Sequence, residues 1–357
     1  MKLRRTRALT GVAIGAALVL AMTGCSTAGA GGGSATTTTS SYMVAKKTGP
    51  LLIGFSNSFA GNSWRTQMIA ELKYAVDTKL KGDVSKLTIT DANNSVSSQL
   101  SQINDLVTSG IDILMIDAAS ATALNGAIER AQKQGVLVVS FDNAATSKAG
   151  IVVNPSQEEF GRVGGQFLAK QLKKGDTVFT LDGAAGSPVS EERLAGAKKA
   201  LDAAGISIVA SAATDWDQAK AQAATANLIS AHSGIAGIYS QGGAATLGAL
   251  NALQQRGIPL VPIPAEGYNG FLKVWKKLKD EKGFASVAPS QPPSLSVTAL
   301  EIAIKAIRGE DPGQAPKTDL PVITQDTLEK YVRPDLSDSL WLPTSLPESI
   351  LQKLYKQ

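Results

Sequence analysis

From Pro50 onward the chain repeats one alternation, a short apolar run followed by an amphipathic stretch of helical period, and this constrains its fold more than any other feature. The apolar runs fall at 51–56, 87–91, 113–117, 136–140, 150–153, 177–181, 207–211, 235–239, 260–264 and 285–288. A strand covered on both faces reads as continuous apolar sequence, which marks parallel strands flanked by helical crossovers. Between the runs, 95–109 places Leu100, Ile103, Leu106 and Val107 on one helical face, and 190–204 is a second such helix. About ten units are more than one doubly wound sheet of ordinary size needs, and roughly 300 residues suit two domains better than one. The expectation is an α/β chain of two parallel-sheet lobes, with the first crossover between them near 151–156.

The segment ahead of these units has a different build. Lys2, Arg4, Arg5 and Arg7 precede an apolar stretch over 8–22, too short for a comfortable membrane span, which ends in Leu20, Ala21, Met22, Thr23, Gly24 and Cys25. This resembles the lipobox of bacterial lipoproteins. The resemblance implies cleavage before Cys25, lipidation of its thiol and a lipid-anchored protein on the extracytoplasmic face of the membrane. Each buried methylene of such an anchor contributes about 0.8 kcal/mol. A lone cysteine is ordinarily a buried structural thiol; its place directly after a signal-like stretch favours the anchor. Arg4-Arg5 also hints at twin-arginine export, which ranks second because the residues after the pair fit that signal poorly. Residues 26–47 are rich in Gly, Ala, Ser and Thr, so 25–49 is read as the lipidated cysteine and a flexible tether.

Removing residues 1–24 takes four of the 35 Lys and Arg and none of the 30 Asp and Glu, so the net charge drops from +5 to about +1. The basic balance therefore belongs to the leader and gives no ground for a nucleic-acid partner. With one cysteine and one histidine, His232, a Cys/His metal site is not available, and any Ser/His/Asp mechanism would have to run through His232. That residue stands in a turn, Ser230 to Gly234, and reads as an exposed loop histidine.

The residues themselves resemble the periplasmic binding proteins of the ribose and galactose type, the substrate-binding components of sugar ABC importers. The likeness runs over 51–322. It opens with Ile53-Gly54-Phe55-Ser56-Asn57-Ser58 leading to Gly61-Asn62-Ser63-Trp64, and continues through Asp91-Ala92-Asn93-Asn94 and Gly110-Ile111-Asp112-Ile113-Leu114. Val139 to Asn143, Gly183 to Pro188 with Glu192-Arg193, Asp215-Trp216 and Gly248-Ala249-Leu250 follow in family order. The resemblance implies the type I periplasmic binding protein fold, two doubly wound lobes joined by a three-segment hinge. Its second and third crossovers fall near 290–293 and 313–322. The first lobe then comprises 50–154 and 292–318, and the second 155–291 and 319–357.

The resemblance also implies a site for a neutral ligand covered in hydroxyls. Aromatic rings cover the apolar C–H faces of a sugar, and planar charged or amide groups bond its hydroxyls, from loops at the carboxyl ends of parallel strands. Asn62 and Trp64 match a polar contact and a stacking aromatic, with Ser58 before them and Arg65 after. The alternative for Trp64 is a core tryptophan. Asp142 matches an acidic hydroxyl acceptor, or is a loop-capping turn aspartate, and Asn143 follows it. Arg193, in the first turns of a helix after Ser187, matches the galactose-type arginine, or is a surface helical arginine. Trp216 matches the second stacking ring, so that Trp64 and Trp216 close on a ligand from opposite lobes. Two departures stand out: Gln241 either replaces the family's usual amide or the contact is lost, and after 260–264 either Glu266 or Asn269 supplies the acceptor. Gln291 fits the hinge glutamine.

Rival classes find less support. No Gly-x-Gly-x-x-Gly turn opens a helix after the first run and no Gly-Lys-Ser/Thr phosphate motif occurs, so no cofactor and no enzyme activity are expected. A repressor with the same sugar-binding core would carry a helix-turn-helix ahead of residue 51, where this chain has its leader and tether. The expected protein is a monomer that captures a small sugar or polyol and hands it to an ABC importer permease. The alternative is a receptor presenting its ligand to a chemotaxis or signalling partner. The stretch 324–357 lies past the resemblance and is read as an irregular segment on the second lobe, ending in a short helix.

Overall fold

The computed structural model describes residues 41–356. Chain order is β1 (Leu51–Asn57), α1 (Ser63–Asp77), β2 (Val84–Asp91), α2 (Val96–Thr108), β3 (Ile113–Asp117), α3 (Asn125–Lys133), β4 (Leu137–Phe141) and β5 (Ile151–Val153). These form a five-stranded parallel sheet, β2-β1-β3-β4-β5. Then come α4 (Gln157–Gln171), β6 (Thr177–Asp182), α5 (Pro188–Ala203), β7 (Ser207–Ala213), α6 (Gln218–Ala231), β8 (Gly237–Ser240), α7 (Gly243–Gln255) and α8 (Asn269–Lys282). Their strands form a three-stranded parallel sheet, β7-β6-β8. The chain closes with β9 (Ala288–Pro289), α9 (Leu295–Ile307), β10 (Val322–Ile323), α10 (Leu328–Tyr331) and α11 (Glu348–Tyr355).

The continuous apolar runs are explained by burial on both faces. In the first sheet Ile53, Phe55, Met115, Val139 and Phe141 meet Met68 and Leu72 of α1 and Leu300 and Ala303 of α9. The alternate residues Leu114, Ile116 and Val138 meet Ile103 and Leu106 of α2 and Ile128 of α3. Each such large side chain contributes about 1.5–3 kcal/mol on full burial. Helix α2 is capped by Ser95, whose hydroxyl accepts from the Ser98 amide, and it buries Gln99 beside Ile103 and Leu106. Helix α9 returns to the first sheet, packing on β3, β4 and β5. The connections after β5, before α9 and after α9 are thus the three crossings of a two-lobed chain.

Three departures from the sequence reading have physical reasons. The run 260–264 is not a strand: Pro259, Pro262 and Pro264 bring no amide donors, and the segment meets β8 through the bond from the Ile238 amide to the Pro262 carbonyl, 3.2 Å. The run 285–288 contributes the short β9, paired antiparallel with β10. The tether reading also extends too far. Tyr42 is buried at 5% exposure and bonds Asp311, the Lys47 ammonium pairs with Asp112 at 2.5 Å, and Arg308 donates to the Lys47 and Gly49 carbonyls at 2.7 and 2.5 Å. Tyr42, Met43 and Val44 supply the apolar surface that a wholly polar tether lacks. Cys25, the leader and the rest of the tether lie outside the described residues. Among the described residues no helix is long and apolar enough to cross a membrane.

The C-terminal stretch touches both lobes rather than the second alone. Asn269 at the start of α8 donates to the carbonyls of Arg333, Leu336 and Ser337, while Gln67 and Glu71 of α1 bond the backbone and side chains of Trp341, Thr344 and Ser345.

Candidate ligand cleft

In the first sheet β1 and β3 are the neighbours at which the winding reverses, and in the second β6 and β8 are, so each lobe presents a crevice at its strands' carboxyl ends. The two crevices face one cavity of about 70 Å3, walled by Trp64, Arg65 and Asp142 from the first lobe and Arg193, Trp216 and Glu266 from the second, with Gln291 from the hinge. That volume falls well short of the roughly 300–1,000 Å3 of open ligand pockets. The lobes are drawn together over the cavity, and the Ser187 hydroxyl donates across the cleft to Asn143 Oδ1 at 2.8 Å.

On the first-lobe side the polar groups form one network. Arg65 is 6% exposed, donates to Asn57 Oδ1 at 3.0 Å, and pairs with Asp117 and, at 2.7 Å, with Asp142. Burial pulls the Arg65 pKa below its ordinary value against the opposing pull of Asp142, and an arginine still keeps its charge at neutral pH. Asp142 also accepts from the Gln291 side-chain amide, and its carbonyl accepts from Asn154 Nδ2 at 2.8 Å. Trp64 lies at the first turn of α1 and donates Nε1–H to the Gln291 carbonyl at 2.8 Å, which fixes the ring at the cavity edge.

On the second-lobe side Arg193 is the organising group, at 3% exposure. It donates to Gln157 Oε1 (2.9 Å), to the Gln241 carbonyl (2.7 Å) and to both Glu266 oxygens (3.3 Å each), and lies 3.6 Å from the centre of the Phe160 ring. Burial lifts the Glu266 pKa above the usual carboxylate range, with Arg193 pulling it back. The Trp216 ring packs on Gly183: a Cβ there would come within 2.1 Å of its Cζ2 atom, so a larger residue at 183 would displace the indole. Its indole Nε1 is buried with no acceptor from the protein.

Left-handed backbone occurs at Asn93 and Asn94 and again around the site. Asp142, Asp215 and Trp216 have φ of 55°, 53° and 54°, left-handed values that are uncommon for residues other than glycine and cluster at functional positions.

Of the residues expected from sequence, Asn62, Trp64, Arg65, Asp142, Asn143, Arg193, Trp216, Glu266 and Gln291 line this one cavity. Asn62 reaches it while its side chain caps α1, accepting from the Arg65 amide at 2.9 Å. Ser58 and Ser187 stand instead at the outer mouth of the cleft. Gln241 is the clear departure. Its side chain is fully buried in the second lobe, accepting from the Gly183 amide at 3.2 Å and donating to Asp182 and the Ser190 carbonyl at 3.0 and 3.1 Å. Only its carbonyl serves the site, by holding Arg193. Asn269 turns to the C-terminal stretch, which leaves Glu266 as the acceptor at the cavity.

Sequence reasoning missed Asp117, Gln157, Ser63, Val189 and Trp341. Asp117 closes an apolar strand, a position at which a charge is a signal in itself. Gln157, Ser63 and Val189 carry no such mark, and Trp341 comes from outside the repeating pattern. Among the described residues no cluster of His, Cys, Asp and Glu is arranged to hold a metal.

Comparison with known proteins agrees with this architecture. The family model described as periplasmic binding protein domain matches residues 53–311. The ribose import binding protein of Bacillus subtilis is 30% identical over 259 residues, 72% of this chain and 82% of the relative. The xylitol-binding protein of Mycolicibacterium smegmatis is 27% identical over 268 residues, 74% and 76% of the two chains. Among solved structures, an ABC transporter solute binding protein from Thermobispora bispora superposes with a TM-score of 0.74 at 26% identity, over 85% of this chain and 94% of the other.

Proposed function

Because the chain belongs to the periplasmic binding protein domain family, we propose that it captures a small neutral sugar or polyol between its lobes and delivers it to an ABC importer. The observation that carries this reading is the shared cavity, where two tryptophans from different lobes flank buried carboxylates, arginines and an amide. The charges there are largely compensated by one another: Arg65 by Asp117 and Asp142, Arg193 by Glu266. Such a lining has little to offer a charged guest, whereas carboxylate lone pairs and guanidinium donors suit hydroxyl groups, and indole faces suit ring C–H surfaces. The relatives named for ribose and xylitol support the same ligand class.

Ligand that touches both lobes favours the closed arrangement by its differential affinity for that state, and the permease reads the closed surface. The twelve expected ligand residues are assigned unequally: nine act at the cavity, Ser58 and Ser187 guard its mouth, and Gln241 acts through its carbonyl. We take the protein to be a monomer without enzymatic activity, tied to the membrane through lipid on Cys25, with the boundary between lobes at 154/155, 291/292 and 318/319. Titration calorimetry of the purified full chain with D-ribose, D-allose, xylitol, L-arabinose and D-galactose tests the function. Saturable one-to-one binding of at least one of these is expected, and no binding of any would refute the reading. Metabolic labelling with a fatty acid, abolished by Cys25→Ser, tests the anchor.

A further inference from the structure

The third tryptophan of the cavity, Trp341, lies beyond the residues that the family model covers, in a strap that both lobes grip. From the first lobe, the fully buried Gln67 clamps the peptide around Trp341, accepting from its amide at 2.8 Å and donating to its carbonyl at 2.9 Å. Two turns of α1 are engaged in all. The Trp341 indole donates to Ser63 Oγ at 2.9 Å, and Glu71 accepts from Thr344 Oγ1 at 2.8 Å and from the Ser345 amide at 3.1 Å. From the second lobe, the Leu342 amide donates to the Gly267 carbonyl at 2.6 Å, the Asn269 amide donates to the Leu340 carbonyl at 2.8 Å, and the Tyr268 ring packs 5.1 Å from the Trp341 ring.

The strap approaches so closely that a Cβ on Gly267 would stand 1.9 Å from the Leu342 carbonyl oxygen. At 5% exposure, with its amide, carbonyl and indole N–H all engaged, Trp341 has no freedom to swing aside for a larger guest.

We propose that Trp341 is a specificity-determining wall of the ligand cavity, a third aromatic face that the C-terminal strap holds in fixed position between the lobes. The proposal rests on the sugar-binding reading and goes beyond it in naming what limits ligand size. Trp64 comes from the first lobe, tied to the hinge through the Gln291 carbonyl, and Trp216 comes from the second. Trp341 is referenced to both at once, so it sets the depth available in the closed state. A compact five-carbon sugar or polyol gains an apolar contact there, and a ligand with a further exocyclic carbon meets a rigid ring.

Calorimetry of full-length Trp341→Ala, Trp341→Leu and Trp341→Phe with the same five probes tests it, after the wild type has been measured. For the tightest wild-type ligand, Trp341→Ala raises Kd tenfold or more, while the affinity ratio between five-carbon and six-carbon probes shrinks at least fivefold. Trp341→Phe keeps an aromatic face and stays within about threefold. If Trp341→Ala does not fold, as judged by circular dichroism, Trp341→Leu fills the volume against Tyr268 and gives the same loss of ranking. A uniform change across all probes, or Kd values within twofold of wild type, assigns the strap a purely structural role and overturns the proposal. Failure of the wild type to bind any probe is a separate outcome, which removes the sugar-binding reading and this inference with it.

Discussion

Replacing Arg193 by alanine is the sharpest single perturbation, because one guanidinium organises the second-lobe scaffold and, in the proposed function, also bonds the ligand. In the wild type its donors satisfy Gln157, the Gln241 carbonyl and Glu266, and it is almost wholly out of water. Hydrogen bonds to charged groups contribute about 1.5–3 kcal/mol each, so loss of the one made to the ligand weakens binding by about 10- to 150-fold, at 1.4 kcal/mol per decade. The scaffold suffers as well. Removing one partner leaves Glu266 as an uncompensated buried charge, and breaking a buried pair in this way costs about 3–5 kcal/mol. The two effects separate in the double variant Arg193→Ala/Glu266→Gln, which recovers much of the lost stability and none of the lost affinity. Denaturant unfolding reports the first quantity, and calorimetry with the tightest wild-type sugar reports the second. An unchanged Kd in Arg193→Ala would show that the guanidinium does not touch the ligand.

Other perturbations follow from the same geometry. Burial holds the Glu266 carboxyl above its unfolded value of about 4.3, so between those two values the folded state binds more protons and stability falls as pH rises. The penalty is absent below the unfolded value and complete above the folded one. The melting temperature of Glu266→Gln relative to wild type therefore climbs with pH from about 4 upward, and a gap that narrows would mean that Arg193 dominates burial. Trp64→Phe keeps a ring but loses the indole bond to the Gln291 carbonyl, which lowers unfolding stability by about 0.5–1.5 kcal/mol on urea titration; unchanged stability would mean that this bond adds nothing to the fold. Glu71→Ala strands the Thr344 hydroxyl and the Ser345 amide, lowering unfolding stability by about 1–3 kcal/mol. No loss on urea titration would mean that the strap adds nothing to the fold.

Legibility from sequence followed the physics of each region. Strands buried on both faces announce themselves as apolar runs, and the bounds of β3 and β1 are legible to within a residue. Proline-broken segments mislead, because 260–264 has the apolar content of a strand without its donors. Positions at the carboxyl ends of strands were readable as site candidates, hence Trp64, Asp142 and Trp216, since a parallel sheet leaves few other places for a cleft. The orientation of a side chain there was not readable. Gln241 stands where an amide should reach the ligand, yet Gly183, Asp182 and Ser190 use up its donors and acceptor inside the lobe. Trp341 was out of reach for a different reason: its partners Gln67 and Tyr268 are 274 and 73 positions away, and no periodicity marks an irregular segment.

The left-handed residues behind β4 and β7 bear on how this protein responds to selection. Each forces a non-glycine backbone into a sparsely populated region at about 1–3 kcal/mol, a tension that the folded state tolerates so that an acid and an indole face inward. A mutant library screened for heat resistance alone would relieve that tension at 215, where glycine forfeits only an exposed pair with Lys220, and would keep the acid at 142, whose buried pair with Arg65 outweighs the relief.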